Sequence, residues 1–135
     1  MNFEILLKKH QLKVTPQRLG ILNSMHKAGH INIEELFKQI KKEFSSISLA
    51  TLYKNIHAML GVELLKEVQI PHAKPKYEIT KAPHAHLLCD NCGKFEDIFL
   101  DVDTMLNNAA KQSNYQLKES SVVYNGLCPT CQNNS

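Results

Sequence analysis

Two pairs of cysteines, Cys89-x2-Cys92 and Cys128-x2-Cys131, hold all four thiols of this 135-residue chain. Thiolates at that spacing make two knuckles that suit one tetrahedral Zn2+, with Zn–S distances of about 2.3 Å. A four-sulfur site is closed, so a histidine has no place on the same ion. Gly93, directly after the first pair, supplies the positive φ that such turns often need. Just ahead of that pair stand His84 and His86. In a strand, residues i and i+2 share a face, so both imidazoles can reach one ion while Leu87 and Cys89 point away. Asp97 on the next strand can face them across a hairpin, Glu78 ends the preceding one, and His30 lies in a loop of the first half. Three imidazoles and two carboxylates form a nitrogen/oxygen set suited to Fe2+, Mn2+ or Zn2+ and too hard to favour Cu+. Plainer readings stay open: exposed strand histidines, and a thiol redox protein using its Cys-x-x-Cys pairs. Against the second, neither pair is expected to open a helix within a thioredoxin-like βαβ pattern.

The elements that must position these residues fall into two parts. The composition, 43% hydrophobic and 21% charged, is that of a globular protein. No apolar run approaches the roughly 20 residues of a membrane span, and the start, Met1 to Lys9, has no signal-like apolar region. The expectation is a cytoplasmic protein with no membrane partner, where paired cysteines read as metal ligands rather than disulfides. Charge is uneven: residues 1–80 carry twelve Lys/Arg against seven Asp/Glu, and residues 81–135 carry four against six. A basic first half and an acidic, ligand-rich second half suggest different partners.

The first half is helical by period. Phe3, Leu6, Leu7 and His10 repeat at i, i+3, i+4, i+7. Thr15-Pro16 caps a helix running to about Met25. Asn32 with Glu35 starts another, carrying the stripe Ile33, Leu36, Phe37, Ile40 and Phe44. After the turn Ser45-Ser46-Ile47, Ser48 caps a helix with Leu49, Leu52, Ile56, Met59 and Leu60 inward and Gly61 at its end. Two amphipathic helices joined by a three-residue turn meet the requirement of a helix-turn-helix. Alternating runs at Leu64–Ile70 and Lys76–Thr80 then give a hairpin with a basic tip, so the unit reads as a winged helix. On the last helix Thr51, Lys54 and the marginal Tyr53 and Asn55 face outward, able to reach phosphates or base edges of double-stranded DNA, with Arg18, Lys13, Lys74 and Lys76 around them.

From Pro83 the pattern changes to strands at His84–Cys89 and Phe95–Leu100, a helix with Val102, Met105, Leu106 and Ala109 on one face, and a last strand over about Leu117–Tyr124. This half is too short for a comfortable apolar core without a staple, a need the four-cysteine zinc would meet. The fold class is therefore α+β: a winged-helix DNA-binding domain over residues 1–82 and a small α/β domain over 83–135.

From Leu12 to Cys131 the chain resembles the ferric uptake regulator family of bacterial metal-dependent repressors. The matching stretches are Thr15-Pro16-Gln17-Arg18, Ser48-Leu49-Ala50-Thr51-Leu52-Tyr53-Lys54-Asn55, Lys76-Tyr77-Glu78, and His84-x-His86-x2-Cys89-x2-Cys92-Gly93-Lys94 with Cys128-x2-Cys131. The resemblance implies a C-terminal dimerisation domain and a homodimer on palindromic operator DNA. It also implies a structural Zn2+ on the four cysteines and a regulatory Fe2+ or Mn2+ at an interdomain hinge, held by His30, Glu78, His84, His86 and Asp97. Lys54 stands where arginine is common, keeping the charge without the planar fork. An additional His/Asp/Glu site found in many relatives has no counterpart: Ala85, Thr104 and Ser120-Ser121-Val122 stand at its positions. Asp97 matches the peroxide-responsive branch, whereas Glu78 is the residue that branch typically replaces with aspartate. The resemblance thus implies a repressor, not an enzyme, that senses peroxide by iron-catalysed oxidation of a ligand histidine, His30 or His84. An iron or other metal uptake regulator is the alternative within the family.

Overall fold

The computed structural model describes residues Met1–Asn133, which form two compact units, Met1–Thr80 and a second beginning at Lys81. The first unit runs α1 (Phe3–Lys9), α2 (Pro16–Ala28), α3 (Ile33–Glu43), α4 (Leu49–Gly61), β1 (Leu65–Val68) and β2 (Lys76–Ile79). Each long helix starts on the cap its sequence offers. Thr15 Oγ1 accepts from the Arg18 N–H at 3.2 Å, Asn32 Oδ1 from the Glu35 N–H at 2.9 Å, and Ser48 Oγ from the Thr51 N–H at 3.1 Å. These bonds satisfy donors that a helix start otherwise leaves open.

The apolar stripes then close on one core. Ile21, Leu22 and Met25 of α2, Leu36 and Ile40 of α3, and Leu52, Ile56 and Met59 of α4 are fully or almost fully buried. The α3–α4 turn is anchored by Ile47, whose N–H donates to the Phe44 carbonyl at 3.1 Å and whose side chain joins that core. The antiparallel wing β1–β2 follows α4, with Leu65 opposite Ile79. Helix α2 continues past Met25 to Ala28 because nothing before Gly29 breaks it. Gly29, at φ +78°, ends it and returns its N–H to the Met25 carbonyl at 2.9 Å.

The second unit runs β3 (Ala85–Cys89), β4 (Phe95–Ile98), α5 (Val102–Ser113), β5 (Val123–Gly126) and α6 (Pro129–Asn133). The sheet order is β4-β3-β5, with β4 antiparallel and β5 parallel to the central β3. The last strand forms later than its sequence suggests. Leu117-Lys118-Glu119-Ser120-Ser121 lacks alternating apolar residues, and pairing with β3 begins only at Val123. Of the expected inward face of α5, Val102 is buried but Met105 is 55% exposed, so the chain's own core does not cover that face. Among the described residues no helix is long and apolar enough to cross a membrane.

Leu52 is fully buried in the first turn of α4. Leu52→Ala is expected to destabilise the first unit by about 3 kcal/mol in urea unfolding while leaving bound zinc unchanged. A loss under about 1 kcal/mol would contradict this packing.

Candidate metal centre

The turn between β3 and β4 builds the first half of the cysteine cluster. The Cys89 N–H donates to the Lys94 carbonyl at 2.9 Å and the Gly93 N–H to the Cys89 carbonyl at 3.0 Å, with Gly93 at φ +78°. Strand β5, lying beside β3, delivers the second half. The four sulfurs come within 4.8 Å of one another. The Cys92 and Cys128 sulfurs are 3.8 Å apart, about the edge of a tetrahedron whose centre lies ~2.3 Å from each corner. The Cys128 and Cys92 amides donate to Cys89 Sγ at 3.4 and 3.5 Å, and Asn91 Nδ2 donates to Cys131 Sγ at 3.3 Å.

These contacts pull the thiols apart chemically. The Cys128 amide, then the Cys92 amide, favours the Cys89 thiolate and lowers its pKa to about 6. At Cys131 the Asn91 amide favours the thiolate, but the Cys128 sulfur, burial and the sulfurs of Cys89 and Cys92 outweigh it and raise the pKa to about 11. Four adjacent thiols cannot all ionise without a cation among them, and a dication removes that conflict. None of the four is paired in a disulfide. Cys128 directly precedes the short helix α6, because Pro129 is favourable at a first helical position, but no strand follows α6 among the described residues, so this is not a thioredoxin-like βαβ opening. The Cys128 sulfur converges with the other three, which is the geometry of a four-sulfur zinc cage rather than of a solitary redox dithiol.

The nitrogen and oxygen donors are each held by local structure. In the first unit, Ile31 bridges to Tyr77 through two backbone hydrogen bonds of 3.1 and 2.8 Å. That bridge brings His30 Nε2 within 3.3 Å of Glu78 Oε2, and Glu78 is only 2% exposed. In the second unit, the register of β3 and β4 puts His86 opposite Asp97. His86 Nε2 lies 3.3 Å and His84 Nε2 3.8 Å from Asp97 Oδ1. His84 Nδ1 is 2.8 Å from the Ala82 carbonyl. A carbonyl only accepts, so Nδ1 carries the hydrogen and Nε2 is the ring atom turned toward the carboxylate. Two imidazole nitrogens converging on one carboxylate oxygen form a nitrogen/oxygen donor set that fits a divalent metal such as iron or manganese. His86 is further fixed by stacking on Phe95, centroids 4.9 Å apart and planes 17° apart. Phe95, the Ala82 carbonyl and Lys81, which pairs with Asp97, carry no signal in the sequence.

The residues singled out for DNA contact surround α4 in the first unit. Arg18 Nε donates to Asn55 Oδ1 at 3.0 Å and Arg18 Nη1 to the Lys13 carbonyl at 2.8 Å. Asn55 Nδ2 donates to the Thr51 carbonyl at 3.1 Å, and Thr51 Oγ1 accepts from Ser48 Oγ at 3.0 Å. Asn55 therefore spends both ends of its amide inside the unit, tying α2 to α4. Lys54 is exposed, and Tyr53 is half-buried with its ring centroid 6.0 Å from that of His57. At the wing, Lys74 pairs with Glu34 of α3.

Cys89→Ser is expected to abolish zinc retention and to lower the stability of the second unit, since structural zinc binding is largely folding energy. Because zinc must displace thiol protons, retention by the unmutated protein should weaken as pH falls through the acid range. A stable, zinc-free Cys89→Ser protein, or zinc affinity independent of pH, would contradict the cage.

Comparison with known proteins gives these sites a context. The model of the ferric uptake regulator family matches residues 9–125. The ferric uptake regulation protein of Synechococcus elongatus is 31% identical over 134 residues, covering 93% of this chain and 90% of that protein. The peroxide operon regulator of Bacillus subtilis is 27% identical over 127 residues, covering 93% and 88%. The crystal structure of the Campylobacter jejuni peroxide stress regulator is 37% identical, covers 97% of this chain and all of its own, and superposes with a TM-score of 0.72. With its winged helix, four-sulfur cage and imidazole–carboxylate donors in place, the chain belongs to the ferric uptake regulator family of metal-responsive transcriptional regulators.

Proposed function

We propose that this protein is a cytoplasmic, metal-dependent repressor that binds palindromic operator DNA as a homodimer and releases it on exposure to peroxide. The observation that carries the reading is the His84–His86–Asp97 cluster, in which two imidazole Nε2 atoms converge on one carboxylate oxygen, a donor set suited to a divalent cation. His30 and Glu78 are proposed to complete the ligand set, so that one ion draws donors from both units and biases the protein between DNA-competent and open states. Lys54, Tyr53 and Thr51 would meet the duplex, and the Arg18–Asn55 bond would hold α4 at its working angle. Exposed apolar side chains of the second unit, among them Met105, Leu87 and Tyr124, support its pairing with a second copy.

Ferrous iron at these ligands would supply the electron that reduces peroxide and so generate an oxidant beside the imidazoles that hold it. The protein's share is to keep His84 and His86 against Asp97 and to let an oxidised imidazole lose its grip. Asp97 in place of the longer glutamate supports the peroxide branch, as do the peroxide regulators among the relatives. A plain iron-uptake regulator is the second reading, favoured by Glu78 and by the relative from Synechococcus elongatus.

Brief peroxide treatment of the Fe2+ form should add one oxygen atom to His30 or His84 by mass spectrometry and abolish DNA binding. The Mn2+ form should bind the same DNA and remain unmodified. Unmodified histidines and undiminished DNA binding in the Fe2+ form would hand the function to the iron-uptake reading. Lys54→Ala should weaken DNA binding and reduce the salt slope of log K by about one per protomer. An unchanged slope would remove Lys54 from the phosphate contacts.

A further inference from the structure

Asp97 is shared by three cations or potential cations. Its Oδ1 faces His86 Nε2 at 3.3 Å and His84 Nε2 at 3.8 Å. Its other oxygen, Oδ2, accepts from the ammonium of Lys81. The Lys81 side chain is 33% exposed and that of Asp97 18%, so the ion pair sits at the rim of the donor cluster with water on one side. We infer that Lys81 is a tethered competitor for the regulatory ion, holding Asp97 until a divalent cation displaces it and thereby setting the concentration at which the site fills. The inference rests on the regulatory site proposed above.

The physical case has three parts. An ammonium offers the carboxylate a hard positive charge, as a metal ion does, but it has no empty orbital for an imidazole lone pair. It bonds Asp97 Oδ2 but cannot gather both imidazoles and the carboxylate as ligands of one centre. A divalent ion that takes both oxygen and nitrogen donors gains from the imidazoles what Lys81 cannot supply, and so evicts it. An ion that prefers oxygen alone, such as Mg2+ or Ca2+, gains little from those rings and must overcome the ammonium with the carboxylates of Asp97 and Glu78 alone. Lys81 thus raises the threshold for every ion and leaves above it those with strong imidazole affinity. While it holds Asp97, it also keeps the carboxylate from swinging into solvent, so the donors stay gathered for the incoming ion. The partial exposure of Lys81 gives the displaced ammonium a direct route into water.

The test uses full-length, zinc-containing protein and Mn2+, which avoids oxidation chemistry. Mn2+ binding is followed by electron paramagnetic resonance of the free ion in wild type, Lys81→Met, Lys81→Gln, Lys81→Arg and, as a control for net charge, Lys111→Met. Loss of a partly exposed ion pair should tighten Mn2+ binding about fivefold in the two neutral variants. Lys81→Arg should bind no more tightly than wild type, and Lys111→Met should match it. A second readout follows displacement itself: acetylation of Lys81 by an amine-reactive ester, measured by mass spectrometry, should accelerate when Mn2+ is added, while that of Lys111 should not. Equal Mn2+ affinity in wild type and both neutral variants would overturn the inference, as would a Lys81 acetylation rate indifferent to Mn2+. No Mn2+ binding in any variant would instead bring down the regulatory-site reading on which it rests.

Discussion

The register of the β3–β4 hairpin decides whether its acidic and imidazole side chains share a face and stand opposite each other. Strand side chains alternate, so a slip of one residue would carry His86 to one side of the sheet and Asp97 to the other. The register is set at the turn, where the Cys89 amide bonds to the Lys94 carbonyl and Gly93 folds back on the Cys89 carbonyl. From there the pairing of Leu88 with Phe95 leads, two residues on, to that of His86 with Asp97. The same turn presents Cys89 and Cys92 to the sulfurs that arrive after β5. Zinc in the four-sulfur cage therefore does more than hold a small unit together: it fixes the frame in which the nitrogen and oxygen donors are aligned. A structural ion and a regulatory ion are separate in chemistry but joined through one hairpin.

The two units solve the problem of stability differently. The first buries a large set of aliphatic side chains from four helices and the wing, and its helices begin on well-formed caps. The second has few buried apolar residues, chiefly Ala85, Cys89, Val102 and Cys131, and two of those are cage sulfurs. A core of that size needs a covalent or metal staple. The division suits a regulator, because the element that reads DNA can stay rigid while the response is left to polar groups. Glu78 and His86, the buried polar and charged residues of the described chain, both belong to the proposed ligand set. Buried charge is costly unless it is compensated, so these positions are where a bound cation changes the balance most.

Much of this was legible in the residues alone, for identifiable reasons. Thr15-Pro16, Asn32 and Ser48 are strong local signals because a cap acts within three residues of itself, and each caps the helix expected of it. The cysteine spacing is equally local on each side, and two such pairs in a chain leave few ways to satisfy the thiols. Signals that depend on tertiary partners were weaker. The final strand forms at Val123 rather than Leu117, because pairing with β3, and not propensity, decides where it begins. The short helix α6 was missed because five residues carry no period. Asn55, placed toward the outside of α4 by its spacing, also accepts from Arg18 of α2, a pairing across 37 positions that no local pattern reveals. Lys81 is invisible for the same reason, since its partner lies 16 residues away across a turn.

The central claim is that one ion takes ligands from both units, and pulsed electron paramagnetic resonance of the Mn2+-loaded, zinc-replete protein tests it most directly. The nitrogen couplings to Mn2+ should include imidazoles from His84 and His86 of the second unit and His30 of the first. His30→Ala should then remove one imidazole coupling while the others remain. A spectrum that His30→Ala leaves unchanged would confine the ion to the second unit and contradict the account.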